Sequence, residues 1–400
     1  MAIRNLFLNV YIKIILAIAI SSEIFGQVNN TIQLSGADPL NTITTAVPFL
    51  VIAPDARGGG LADVGVATTP DANSIHWNPA KFAFIDKKMG LSISYTPWLR
   101  ALVPDINLIY LSAYKNINYN QVIAMSLRYF SLGDINFSSI TGTPLGSFKP
   151  TEYAVDMAYS RKLGGEISLG VALRYIHSDL TGGINLGGTQ THPGWSVAQD
   201  VSGYYHHELN IAENKSLLAA GINISNIGNK ISYTKNDGTG DFIPTNLRFG
   251  TSLRTNFSSR YSIALAIDIN KLLVPTPPIR DSTNQIVSGK DPNVSVLQGM
   301  YQSFSDAPGG SKEELKEYNY SLGIEQWYDN KFALRAGYFH EPTTKGNRKY
   351  YTIGIGIRYS ICELDFAYLI PQEQRHPLEN TIRFSLSFDI DSFKSKDKIN

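Results

Sequence analysis

Residues 381–390 read Thr-Ile-Arg-Phe-Ser-Leu-Ser-Phe-Asp-Ile. Ile382, Phe384, Leu386, Phe388 and Ile390 are apolar, while Thr381, Arg383, Ser385, Ser387 and Asp389 between them are polar. A strand sends successive side chains to opposite faces, so this stretch has one apolar and one polar face. Two segments upstream repeat the design. Tyr351, Ile353, Ile355, Ile357 and Tyr359 alternate with Thr352, Gly354, Gly356, Arg358 and Ser360; Leu364, Phe366, Tyr368 and Ile370 alternate with Glu363, Asp365 and Ala367. A soluble sheet would need helices to cover the apolar face, and the chain runs out of them. Charge and glycine opposite large apolar residues is the pattern of a transmembrane antiparallel β-barrel, lipid outside and polar lumen inside. The expected fold class is all-β.

Composition agrees. The 400 residues carry 35 Lys and Arg against 34 Asp and Glu, a net charge of +1. That balance excludes the basic footprint of a nucleic-acid binder. Charged residues are 17%, below the about 25% of soluble domains. Tyr (22), Phe (18) and Gly (33) are plentiful. The single cysteine, Cys362, excludes an intramolecular disulfide and reads as a small strand residue.

Residues 1–26 read as a secretory signal. Arg4 and Lys13 precede the apolar run 14–20, and Ser21, Ser22 and Gly26 prepare a cut before Gln27. The run is shorter than the about 20 apolar residues a spanning helix needs, and no later stretch reaches that length. A membrane protein of this kind crosses as a barrel. Residues 27–86 break the strand pattern. Pro48, Pro54, Gly58, Gly59, Gly60, Pro70, Asn78 and Pro79 are turn formers. Asp55, Asp63, Asp71, Asn73 and Asn78 can bond their own backbone. This segment is expected to be an irregular plug inside the barrel, with the three glycines at a tight bend.

The stretch 47–84, VPFLVIAPDARGGGLADVGVATTPDANSIHWNPAKFAF, resembles the amino-terminal region of the FadL/OmpP1-like outer-membrane barrels. More closely it is similar to the PorV family, outer-membrane proteins of the type IX secretion system in Bacteroidetes. The likeness continues through Leu91–Tyr95, Pro97-Trp98, the run Leu334-Arg335-Ala336-Gly337-Tyr338 and the last three strands. The resemblance implies a protein that binds the carboxy-terminal signal domain of secreted proteins as they leave the type IX translocon barrel. It then implies delivery of that cargo to a sortase-like surface attachment complex. The rival it carries is a FadL-like transporter of hydrophobic small molecules. That activity needs an apolar lumen, for which 47–52 is the obvious lining.

Beyond residue 86 the chain offers about fourteen strands, near 88–97, 105–115, 120–131, 150–161, 165–177, 195–207, 216–226, 246–255, 260–271, 317–327, 331–340, 349–359, 362–370 and 380–390. The barrel region is 87–391, followed by a periplasmic tail, 392–400. Strand two alternates poorly. The connections alternate short and long, with 208–215 slightly longer than the other short ones and 272–316 the longest. Bacterial barrels have short periplasmic turns and long external loops. If the plug starts on the periplasmic side, strand one rises and every long loop falls outside.

The inward face carries Asp156, Arg174, Arg248, Arg254, Asp268, Glu325, Arg335, Arg358, Glu363, Asp365, Arg383 and Asp389. Buried charges need partners. The plug supplies Asp55, Arg57, Asp63 and Asp71, and these carboxylates are expected to face the wall arginines Arg248, Arg335, Arg358 and Arg383. No nucleophile elbow, phosphate loop, zinc-protease or paired-cysteine motif is present, so no enzyme activity, metal or cofactor is expected. His206 and His207 point to opposite faces of one strand. His76 reads as a structural histidine, and Trp77 and Trp98 as interface aromatics. In the longest loop, Asp291-Pro292 predicts a helix start. Leu297, Met300, Tyr301 and Phe304 then recur on one helical face, a candidate partner-binding surface. Ser311-Lys-Glu-Glu predicts a capping box. The expected surroundings are outer-membrane lipid and protein partners, with no nucleic acid.

Overall fold

A computed structural model describes residues 40–390, apart from 104, 139–143, 184, 187–188 and 235–239. The expected secretory signal at 1–26, the first part of the 27–86 segment and the tail 392–400 lie outside the described residues. Fourteen strands close a barrel in simple chain order, every neighbour antiparallel. They are β1 (Met89–Pro97), β2 (Ile106–Asn118), β3 (Gln121–Leu132), β4 (Thr151–Lys162), β5 (Ile167–Asp179), β6 (Gly194–Ile211), β7 (Asn214–Gly228), β8 (Asn246–Asn256), β9 (Tyr261–Leu272), β10 (Tyr318–Tyr328), β11 (Phe332–His340), β12 (Lys349–Tyr359), β13 (Cys362–Pro371) and β14 (Ile382–Asp389). Closure comes from β14 pairing with β1, Gly90 opposite Asp389 and Tyr95 opposite Phe384.

The alternation places side chains as expected. Phe384, Ile353, Ile355, Ile357, Leu364, Leu91 and Ile93 are exposed around the outside; Arg383, Ser385, Thr352, Asp365, Ser92 and Ser94 are buried inside. An outward apolar belt on this scale would drive aggregation in water and is matched by lipid. The weak pattern of β2 now has a reason. Its inward residues Ile106, Leu108 and Tyr110 are apolar because they meet apolar side chains of the amino-terminal segment. With lipid on one side and that segment on the other, polar residues are few on the inward face of the strand, where Ser112 is buried.

All the short connections lie at one end of the barrel. The one expected to be longer is shorter: β6 and β7 run on to a two-residue turn, Ala212 (φ 47°) and Glu213 (φ 68°). Asp329 and Asn330 take the same left-handed conformation between β10 and β11. That backbone follows the twist of the flanking strands. The long connections share the other end. They carry two-stranded hairpins, Ile135–Ser138 with Pro144–Phe148 and Ile279–Arg280 with Ile286–Ser288. Among the described residues no helix is long and apolar enough to cross a membrane.

The described part of the amino-terminal segment, from residue 40, lies first at the long-loop end; the start expected at the short-turn end, 27–39, lies outside the described residues. Asn41 N donates to Thr344 O (3.1 Å) and Ala46 N to Phe242 O (2.9 Å), both acceptors in long connections. The segment then runs inside the barrel and leaves at the short-turn end. There Asn116 N donates to Lys88 O (2.7 Å), and Lys87 pairs with Asp389 (3.0 Å). Strand β1 therefore still starts at the short-turn end, and the sorting of loops by length is preserved.

Candidate functional site

Inside the barrel, residues 47–84 make two short helices, α1 (Ala56–Gly60) and α2 (Ser74–Trp77), joined by turns. Near the long-loop end the contact is apolar. Val47, Phe49 and Leu50 pack with Ile106, Leu108, Phe130, Ile176, Ile231 and Ile243, and the Phe49 and Phe130 rings stack at 6.0 Å. Nearer the other end Ile75 and Phe82 pack with Tyr110, Tyr114 and Val122.

The glycines do not form a bend. Gly58, Gly59 and Gly60 are part of α1, and glycine is required by what presses on it. A Cβ on Gly58 would overlap the Trp77 ring, one on Gly59 the Arg383 side chain, and one on Gly60 would crowd the backbone of Gly354 in β12. Asp55 caps α1: its carboxylate accepts from Gly58 N (2.8 Å) and from Trp77 Nε1 (2.7 Å). Capping satisfies an amide that a helix start would leave unpaired. Asn78 and Pro79 start a 3₁₀ turn. Asn78 Oδ1 accepts from Ala80 N (3.0 Å), and its Nδ2 donates to Val66 O (2.9 Å) and Gly203 O (3.0 Å). Asn73 Oδ1 accepts from Ser112 of β2 (3.0 Å).

The charges are paired differently from the expectation. Asp55 and Asp71 do not meet wall arginines. Asp55 is taken by Gly58 and Trp77, while Asp71 binds Arg57 of its own segment (2.8 Å). Arg57 is the residue that reaches the wall, at Glu325 of β10 (2.9 Å). Glu325 also accepts from Arg335 of β11 (2.8 Å), which reaches Asp365 of β13 (2.6 Å). Of the three plug aspartates only Asp63 approaches a wall arginine, Arg383 at 3.6 Å, and it also accepts from the Tyr350 hydroxyl (2.7 Å). Asp268 of β9 holds the segment through backbone, accepting from Gly65 N (2.8 Å) and Val66 N (2.9 Å). The four chosen wall arginines thus divide. Arg335 and Arg383 meet the segment's network. Arg248 donates to Asn270 (2.6 Å) and lies over the Trp77 ring at 4.6 Å. Arg358 pairs with Glu363 (2.6 Å) at the short-turn rim, its side chain half exposed.

Two residues that hold the segment, Arg128 and Lys81, stand outside the sequence expectations. Arg128 of β3, 2% exposed, donates to Phe49 O (3.2 Å), Leu50 O and His76 Nδ1 (2.6 Å). Arg174 of β5, expected on the inward face, binds the wall to itself instead: it joins Asp156 (2.5 Å) and Asp200 (3.1 Å) and bonds Asn226. Lys81 is fully buried, donating to Gly65 O (2.7 Å) and Thr68 Oγ1 (3.0 Å). Trp77 is not an interface aromatic; it lies inside, 2% exposed, as the wall against which α1 is built. The signal that could have found Arg128 was its inward position, two residues from Ser126, on a strand otherwise small or apolar inside.

At the long-loop end the connection 273–317 forms a cap with α3 (Val296–Gln302) and α4 (Ser311–Leu315). The start of α3 is capped by Ser295, whose hydroxyl accepts from Gln298 N, and not by Asp291. Gly310 precedes α4, so the expected Ser311 capping box is displaced. Glu314 instead accepts from Ala307 N (2.8 Å) and Glu313 from Gly309 N (2.7 Å). Leu297 (71% exposed) and Tyr301 (83%) share one open face; Phe304 (46%) lies beyond the helix end, and Met300 is half-buried. Gly299 faces inward, against Phe242 and Pro275. The cap is anchored by charge. Lys271 of β9 binds Glu317 (2.5 Å) and Glu314 (3.4 Å), and Lys345 of the 341–348 connection binds Glu313 (2.6 Å) and Glu317 (3.0 Å). Burial alone would raise the Glu313 carboxyl; hydrogen bonds from Lys345, the Gly309 amide and Asn41 outweigh it and hold the group below its usual range.

At the short-turn end a cavity of about 540 Å³ stays open below the segment, bordered by Arg57, Asp71, Arg254, Trp327, Arg358 and Glu363. Among the described residues no group of three or more His, Cys, Asp or Glu is placed to hold a metal ion.

No curated protein sequence matches the chain. Among solved structures it is similar to the Pseudomonas putida toluene transporter TodX (TM-score 0.47, 12% identity, 88% of this chain and 99% of that one). It is also similar to a Pseudomonas aeruginosa FadL homologue (0.44, 12%, 88% and 99%) and to the Ralstonia pickettii toluene transporter TbuX (0.47, 10%, 85% and 98%). The family model described as "Type IX secretion system protein PorV" matches residues 35–279, more than half of the chain. The chain, a fourteen-stranded barrel of the outer membrane, belongs to the PorV family and to type IX secretion.

Proposed function

We propose that this protein is a carrier in type IX secretion. It binds the carboxy-terminal signal domain of cargo leaving the translocon barrel and passes the cargo to the sortase-like surface attachment complex. Residues 47–84 act as a plug, so cargo does not travel through the lumen. The long connections face outward and form the holding surface. The observation that carries this reading is the pairing of a lumen occupied by its own chain with a cap that leaves Leu297 and Tyr301 exposed. An apolar face of this kind in a folded cap marks a contact surface.

The rival, transport of hydrophobic small molecules, has one point in its favour: the upper lumen is apolar. That region is taken up by Val47, Phe49 and Leu50 against the wall, and a carrier of small molecules needs it vacant. The test is to change Leu297, Met300, Tyr301 and Phe304 to Ser together, with barrel assembly checked by faster gel migration before heating than after. Lost cargo capture and lost surface proteins, with a normal barrel, support the carrier. Unchanged secretion and unchanged co-purification of the translocon would sink the assignment of this face.

A further inference from the structure

We infer that the short-turn mouth of the barrel holds a binding site, centred on Arg254, for the carboxylates of an extended acidic peptide. The periplasmic location of that mouth rests on the reading that the long connections face outward; the site itself does not.

Strand register leaves Arg254 without an anionic partner. Arg254 of β8 stands opposite Leu217 of β7 and Ala264 of β9. The next carboxylates around the wall, Glu208 of β6 and Glu325 of β10, lie opposite Leu217 and Ala264 in turn, each two strands from Arg254. At a strand spacing of about 4.8 Å that separation is roughly 10 Å, and Glu325 is already held by Arg57 and Arg335. Among the described residues Arg254 makes one hydrogen bond, from Nη2 to the Ser262 hydroxyl (3.2 Å). The other inward arginines of the wall are better answered. Arg174, Arg335, Arg358 and Arg383 meet carboxylates, Arg128 meets two carbonyls, and Arg248 has Asn270 and the Trp77 ring. A guanidinium carries five donors in a planar fork that matches a carboxylate, and most of those on Arg254 are unused.

The unused donors border open space. A cavity of about 800 Å³ lies against Arg254, between the β6–β7 hairpin and the β8–β9 turn, and it is bordered by wall and turns rather than by residues 47–84. It shares Glu208, Leu217 and Arg254 with the cavity of about 540 Å³ below the segment, so Arg254 stands where the two meet. Lys215 of β7 and Arg260 of the turn also line the larger cavity, and Glu208 is the carboxylate there: three cations against one anion, a net charge of +2. Lys215 is two residues nearer the rim than Leu217, the residue opposite Arg254, a step of about 6.6 Å along a strand. Carboxylates two residues apart on an extended chain share one face at that same spacing. Asn210, Asn256 and Ser258 offer amides and a hydroxyl to the peptide backbone between them. A single small anion would engage Arg254 and leave the step to Lys215 unused, and a densely charged polyanion would meet Glu208. Spaced carboxylates on an extended peptide fit both features.

The test is peptide binding by the purified, heat-modifiable full-length protein, read as fluorescence anisotropy. The probe is a fluorescein-tagged heptapeptide in which glutamate alternates with glycine. The control replaces each glutamate by glutamine, and inorganic phosphate serves as competitor. Binding in solution is independent of which mouth faces the periplasm, so its failure is distinct from a failure of the orientation or of the carrier role. The glutamate peptide is expected to bind more tightly than the glutamine one and to be weakened by salt. Arg254→Gln should weaken binding about tenfold, the scale of a lost charge-assisted hydrogen bond. Arg254→Lys should recover part of the loss, because lysine keeps the charge and not the fork. Lys215→Gln, at an exposed position on the rim, should weaken binding by a smaller factor, and it keeps the test decisive where Arg254→Gln disturbs the heat shift. Equal binding of the two peptides, or binding unchanged in Arg254→Gln and Lys215→Gln, overturns the site. Displacement of the peptide by an equal concentration of phosphate overturns the peptide as its occupant.

Discussion

Arg57 shows how a single side chain joins the inner segment to the wall. Its guanidinium serves Asp71, Glu325, Thr69 O (3.0 Å) and Thr69 Oγ1 (2.7 Å), a fork that a lysine cannot reproduce. Removing one partner of a buried ion pair leaves charge uncompensated, at a cost of about 3–5 kcal/mol. Arg57→Ala is expected near the lower end, because Glu325 keeps Arg335. The prediction is a lower temperature for conversion of the fast-migrating band to the slow one, with Arg57→Lys recovering only part of the loss. An unchanged conversion temperature would show that the pair does not hold the segment. The sequence displayed the participants, but not the pairing. Alternation placed Glu325, Arg335, Asp365 and Arg383 on the inner face. Nothing local could show that Asp55 would be spent on capping α1 and holding Trp77, or that Asp71 would turn to Arg57. Those choices depend on how the segment folds on itself, and its short helices carry no periodic signal.

Among the elements, the strands were legible and the cap was half legible. Period-two alternation against lipid on one side is a strong constraint, so thirteen of the fourteen strands announced themselves; β2 was legible only through its neighbours, because its inward side is largely apolar as well. The first cap helix was legible in its apolar spacing and the second in its capping-box pattern, but their starts were misplaced, since Ser295 and Gly310 compete well with Asp291 and Ser311 for the cap position. The cap also carries a pH dependence. Asp306 is buried beside the Thr276 amide; burial pushes its carboxyl up to about 6, with the negative charge of Glu314 adding to the effect. The folded value lies above the ordinary value of about 3.9. Its contribution to stability is therefore full below about pH 4 and is lost as pH rises through about 6. The Glu313 contribution runs oppositely, fading as pH falls below its ordinary range. Between about pH 5 and 7 the Asp306 effect dominates, so proteolysis of the 273–317 connection should quicken as pH rises across that window. Asp306→Asn should flatten the profile. A wild-type rate that falls or stays level across the window would remove Asp306 as its cause.

For the whole molecule, the outward belt, the inward charge and the loop lengths were all written in the sequence, because each is imposed by lipid, lumen or water along a regular period. The direction in which the amino-terminal segment passes through the barrel was not, because it depends on contacts such as Asn41 with Thr344 and Glu313 that join residues hundreds of positions apart. The proposed carrier keeps its lumen closed by its own chain. The most direct measurement is the ion conductance of the purified, heat-modifiable protein in a planar lipid bilayer. Insertion without a steady ohmic current is expected of the wild type, and stepwise currents when Arg57→Ala is combined with Arg128→Ala to loosen the segment. A stable open-channel conductance from the wild-type protein would contradict it.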